Sequence, residues 1–260
     1  MHLIYNLPGL VQLAIFAVAA LALMFVQHKI TRIFLDKFFS GYKSDLALNI
    51  HTSVSTTLAL IVAFSLVQAV TTFKQADQAV RQESVRINNL DRLLVRYGGS
   101  EDVSVIRASL RTYANSIIKD EWDAMQSGNE SETTNKLFKP VSKGIIQLKP
   151  SNARENSIYS EMVKLADALA DYRAERLEAA KLEIPMIFWA LIYLLLFAKN
   201  TLSSFFERSK TADIVMALQM ICFSSLIFLT YYFDEPFKGE SGIKPTLIVD
   251  VLDKISKRTD

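Results

Sequence analysis

Four stretches of this sequence contain no Asp, Glu, Lys or Arg: residues 9–26, 54–70, 184–198 and 214–233, of 18, 17, 15 and 20 residues. An α-helix rises about 1.5 Å per residue, so roughly 20 apolar residues cross the hydrocarbon core of a bilayer. All 56 charged side chains fall in the other 190 positions. A buried helix of a soluble protein keeps a polar face, and the first, third and fourth stretches have almost none. Four membrane-spanning helices are expected. The third is short, and Lys199 is expected to snorkel to the interface, with Leu202, Phe205 and Phe206 behind it. The first is read as a retained span. No basic residue precedes it, and His28, Lys29 and Arg32 follow it in place of a cleavage site.

The 113 residues between the second and third stretches hold 17 basic and 17 acidic side chains. Their apolar spacing is helical throughout. Phe73, Ala76, Val80, Ile87, Leu90, Leu94 and Tyr97 form one stripe, with nothing to break the helix before Gly98-Gly99. The second span and this stripe are therefore expected to be one helix about 65 Å long. A second helix is expected over 101–126, closed by Ser127-Gly128. A third opens at Ser131 and Glu132, with Pro140 inside it. Ser151 is expected to cap a fourth that runs into the third span, with a kink at Pro185. The fold class is all-α: four spans with a helical bundle between spans 2 and 3. The expected division is 1–70, 71–183, 184–233 and a tail at 234–260.

Composition narrows the function. Half the residues are hydrophobic, which excludes a disordered chain, and a net charge of +2 gives no footing for nucleic acid. The single Cys222 cannot form an internal disulfide. His2, His28 and His51 lie near no carboxylate cluster, and no GxSxG, HExxH, Walker or GxGxxG pattern is present, so no enzyme, metal or cofactor is expected. Asp120, Glu121 and Asp123 around Trp122 read as a solvated helix end with a docked aromatic, and Asp234-Glu235 before Pro236 as a membrane-edge turn. Basic residues in the two short loops, Lys29, Arg32, Lys37 and Lys43 among them, nearly balance those at the ends of the insert. The positive-inside rule therefore leaves the side of the insert open.

The second span differs from the other three. It carries Ser53, Ser55, Thr56, Thr57, Ser65, Gln68, Thr71 and Thr72. Polar groups in a span face a partner helix or water. Thr56, Leu60, Phe64 and Gln68 recur every four residues on one face. That face either packs within the four-span unit or lines a pore with a constriction at Leu60 and Phe64 that gates by dewetting.

Four blocks, in this order and spacing, resemble the bestrophin-like family of bacterial membrane proteins: AFSLVQAVTTFKQADQAVRQES, RTYANSIIKDEWDAM, DYRAERL and DEPFKGESGIKP. The resemblance covers most of the chain. It implies a ring-forming anion channel, usually pentameric, passing small inorganic ions, with the bundle on the cytoplasmic side of the bacterial inner membrane. It places the hydrophobic neck on Thr56, Leu60 and Phe64; in a channel, Gln68 would follow on the same face, with Lys74 and Arg81 as nearby bases. Asp234, Glu235, Pro236, Phe237 and Gly239 are similar to the turn that follows the last span in bestrophins. Thr56 is polar where bestrophins are apolar, Ala63 replaces the usual glycine, and only Glu240 remains of the acidic run that serves Ca²⁺ in animal bestrophins. The alternative is a non-conducting membrane protein whose bundle binds or senses a partner. A secondary transporter is disfavoured because the spans hold no ionisable groups or inverted repeat.

Overall fold

The computed structural model describes residues 7–38, 45–98, 100–206, 209–239 and 242–258. Among these the chain is all-helical. Helix α1 is Gly9–Phe38, α2 Asp45–Tyr97, α3 Glu101–Ser116, α4 Trp122–Gln126, α5 Glu132–Gln147, α6 Ala153–Ala179, α7 Met186–Ser203, α8 Lys210–Asp234 and α9 Thr246–Ser256. A π-helical turn, Ile117–Glu121, joins α3 to α4. Lys43, Gly99, Glu240 and His2 lie outside the described residues.

The chain divides into two compact units. The first holds residues 1–71, 183–235 and 239–241. It contains α1, the first half of α2, α7 and α8, the four helices long and apolar enough to cross a membrane. In their most hydrophobic windows only 17% to 33% of residues are buried within the chain. Leu10, Leu23, Ile187 and Ile214 project outward, as side chains facing lipid or another subunit do. The small core of this unit is Leu58 and Val62 of α2 against Ile192 of α7 and Phe223 and Ile227 of α8.

The second unit holds residues 72–182, 236–238 and 242–260. Its core joins the stripe Ala76, Val80, Ile87, Leu90 and Leu94 of α2 to Leu110 and Ile117, Ile145 of α5, and Met162 and Leu169 of α6. Helices α3 and α5 approach closely at Gly144, where an added Cβ would stand 2.6 Å from Cγ1 of Ile106. Local chemistry sets the helix starts. The Ser100, Ser131 and Asn152 side chains accept the amides of Val103, Thr134 and Glu155.

Helix α2 is continuous, 53 residues long, and ends at Gly98 with φ 127°. From His51 to Ala69 its buried positions are His51, Ser55, Leu58, Val62, Ser65 and Ala69, at alternating steps of four and three. That is a heptad seam. Three expectations need correction. Asn152, not Ser151, caps α6, because Ser151 instead gives its amide and hydroxyl to Glu155 at 2.7 and 2.8 Å. The α6 helix does not kink into the third span but stops at Ala179, and Pro185 caps the new helix α7. Proline biases the residue before it away from helical geometry. The freed amide of Ile184 donates to Oδ1 of Asp234 at 2.8 Å. Lys199 does not snorkel. It is 1% exposed, with its ammonium 5.3 Å from the centre of the Phe223 ring.

Candidate functional site

The face of α2 opposite the buried seam is uncovered. Thr56, Leu60, Phe64 and Gln68 are all exposed, Leu60 and Phe64 at 56% and 66%. Packing within the chain therefore does not account for this stripe. The hydroxyls need a separate account. Thr52, Ser53, Thr56, Thr57 and Thr71 each donate to the carbonyl four residues earlier, at 2.7 to 3.1 Å. Helical hydroxyls satisfied this way tolerate apolar surroundings, so they demand neither water nor a partner helix. Gln68 differs, because its exposed amide bonds to no described residue. On the far face, the buried Ser55 and Ser65 hydroxyls have no hydrogen-bond partner. Farther along α2, Lys74 is exposed, while the Arg81 guanidinium is 2.8 Å from Asp77, so its charge is locally balanced.

The turn after the last span is tied down at several points. Asp234 is 8% exposed and holds the Ile184 amide. Glu235 ends α8. The Pro236 carbonyl accepts from the Ile243 amide at 2.8 Å, and Gly239 takes φ 71°, a conformation glycine adopts without strain. Phe237 is buried with its ring edge-on to Trp122 at 5.6 Å, and the Trp122 indole donates to the Ile243 carbonyl at 3.2 Å.

The same tryptophan borders a charge network that no single motif marks in the sequence. Glu83 of α2, Glu121 of the π turn and Arg176 of α6 are each 0% exposed. Arg176 Nε donates to Glu83 Oε2 at 2.6 Å, and its Nη2 reaches Glu83 Oε1 at 3.1 Å and Glu121 Oε2 at 2.6 Å. Arg173 holds the other oxygen of Glu121 at 2.5 Å. The Tyr113 hydroxyl donates to Glu83 Oε1 at 3.0 Å. Two carboxylates and two guanidiniums balance, as burial requires. Burial, and then the adjacent Glu83, push the Tyr113 phenol well above its ordinary value. Burial alone would weaken the Arg176 cation, but Glu83 and then Glu121 outweigh it and raise its pKa.

Here the reading of Glu121 is corrected. Asp120 and Asp123 are exposed at a helix surface, but Glu121 points inward. The π turn carries one residue more than an α-turn, which re-aims the side chains on it. The four blocks quoted from the sequence converge on this network and its border. They supply Glu83; Tyr113, Glu121 and Trp122; Arg173 and Arg176; and Phe237 and Ile243. A second ionic group lies nearer the C-terminus. Asp91 accepts from Arg107 at 3.0 Å and from Arg258 at 2.5 Å. Among the described residues no group of three His, Cys, Asp or Glu is placed to hold a metal ion.

Residues 13–248 match a family described as "Bestrophin-like domain". Solved structures resemble the fold over nearly all of its length. A bacterial Bestrophin homolog from Klebsiella pneumoniae solved by Zn-SAD phasing superposes with a TM-score of 0.73 at 15% identity, covering 93% of this chain and 99% of that one. A point mutant of a Bestrophin homolog from the same organism gives 0.75 at 14% identity, again covering 93% and 99%. Another gives 0.72 at 16% identity, covering 93% and 97%. Likeness at these identities fixes the fold. No curated protein matches the sequence.

Proposed function

The chain belongs to the bestrophin-like family, and from that premise we propose that it is a homo-oligomeric anion channel of the bacterial inner membrane with α2 lining the pore. The observation that carries the reading is the uncovered face of α2. A lipid-facing stripe would leave the unpaired Gln68 amide in hydrocarbon, at a cost of several kcal/mol. A stripe facing water at the axis of a ring leaves that amide hydrated. Leu60 and Phe64 then form an apolar neck between the polar positions Thr56 and Gln68. A neck of this kind passes ions when it wets and blocks them when it dries. No fixed charge lies in the neck, so selectivity falls to amide and hydroxyl dipoles and to bases such as Lys74. The helical bundle lies on the cytoplasmic side in this reading.

Reconstitution into planar bilayers under a chloride gradient tests it. Phe64→Ala and Leu60→Ala are expected to raise open-channel current several-fold by removing the dewetting barrier. Currents unchanged in both variants would refute the neck. A monomer or dimer by native mass spectrometry in mild detergent would refute the ring, and would favour a bundle that binds a partner.

A further inference from the structure

The first unit contains a cavity of about 500 Å³ between the later part of α1 and the start of α8. Its lining is unusually basic. Lys29 and Arg32 come from α1 and Lys210 from α8, and Asp213 is the one carboxylate among the described lining residues. His28 and Ser203 complete the polar wall, and the His28 ring is held by the Ser204 hydroxyl at 3.0 Å.

Arg32 is 6% exposed, and its Nη2 donates to the Phe206 carbonyl at 3.1 Å. Its Nε is buried without a hydrogen-bond partner among the described residues. A buried guanidinium N–H left unpaired is costly, and among the described residues no carboxylate is paired with it. A third feature points the same way. Ser209 lines the cavity and caps α8, a 25-residue helix, by accepting the Ala212 amide at 3.0 Å. The two amides before Ala212, at Lys210 and Thr211, are among those that an α-helix leaves without intrahelical partners. Together with the positive end of the helix dipole they favour an anion.

We propose that this cavity binds a phosphate-type oxyanion, either the phosphodiester of an anionic lipid headgroup or free phosphate. Arg32 supplies the directed donor, the α8 N-terminus supplies amides, and Lys29 and Lys210 supply screening charge. Spherical halide would use none of the fork geometry that a guanidinium offers to paired oxygens. The lining shares no residue with the α2 stripe, so the binding test stands whether or not the protein conducts.

The test uses the full-length protein in neutral detergent after lipid removal. Isothermal titration is run with dihexanoyl phosphatidylglycerol below its micelle concentration and, separately, with inorganic phosphate. Saturable binding of the lipid alone identifies a headgroup site, and binding of both identifies a general oxyanion site. Arg32→Gln is expected to weaken either by about tenfold or more. Lys29→Gln, at an exposed position, is expected to weaken it by a smaller factor without disturbing the fold. If Arg32→Gln does not fold, the Lys29→Gln, Lys210→Gln double variant decides. The proposal is overturned if the wild-type protein binds neither probe, or if the folded variants keep wild-type affinity.

Discussion

Replacing Arg176 by methionine tests the buried charge network directly. Methionine keeps much of the unbranched chain but removes the guanidinium. Four hydrogen bonds disappear: two to Glu83, one to Glu121 and one to the Met125 sulfur. The consequences for the two carboxylates differ. Glu121 keeps Arg173 at 2.5 Å, whereas Glu83, at 0% exposure, is left with only the Tyr113 hydroxyl. A buried ion that loses its counter-ion destabilises a fold by about 3–5 kcal/mol. Arg173 sits nearer the surface, with its side chain 10% exposed, and Arg173→Met leaves Glu121 bound to Arg176. Its cost is therefore expected to be smaller, about 1–3 kcal/mol. Adding Glu83→Gln to Arg176→Met removes the orphaned charge and is expected to recover part of the loss. Chemical unfolding in detergent, followed by Trp122 fluorescence beside the network, reads all three. The reasoning fails if Arg176→Met lies within about 1 kcal/mol of wild type, or if the double variant is less stable than the single one.

Two further outcomes follow from the same unit. The neutral Tyr113 phenol is favoured in the fold, since burial and then Glu83 hold its pKa well above the ordinary 10.0. Its contribution is therefore complete below pH 10 and is lost as pH rises toward the folded-state value, by up to about 1.4 kcal/mol per pH unit. Tyr113→Phe should flatten the fall in unfolding midpoint above about pH 10, and parallel curves for the two proteins would contradict this. Gly144→Ala should destabilise despite the better helix propensity of alanine. The new Cβ would meet Cγ1 of Ile106 at 2.6 Å, on a β-branched side chain that cannot swing away. An overpacking cost of about 1–3 kcal/mol outweighs a propensity gain of about 1 kcal/mol, and a raised unfolding midpoint would contradict it.

Much of this fold was legible because its signals are local. Absence of charge located the spans, and an unbroken three-four spacing carried α2 through to Gly98. The serine before Glu132 located the start of α5 despite Pro140. Signals that depend on distant partners were not legible. Arg176 and Glu83 stand 93 positions apart, and nothing near either announces the other. Glu121 looked solvated because its neighbours Asp120 and Asp123 are, and only the π turn separates their fates. The break at Pro185 depends on Asp234 receiving the Ile184 amide from 50 positions away. The missed helix α9 is a different case. Ile248, Val251 and Ile255 are buried at helical spacing, a local signal present in the sequence of the C-terminal segment.

The π turn also bears on how this chain tolerates insertion and deletion. A segment five residues long carries Glu121 inward at its last position. Each residue of an α-helix turns about 100° around the axis. Deleting one residue between Ser116 and Glu121 would return the path to ordinary α geometry. Glu121, Trp122 and Met125 would then keep nearly their present rotation about the axis, because the π turn spreads one extra residue over about one turn. A one-residue deletion at the turn is absorbed there, whereas the same deletion inside α3 would rotate everything beyond it by about 100°. The turn is therefore where this block can accommodate a change in length, and ungapped alignment to a relative without the turn would pair Glu121 with a residue on another face.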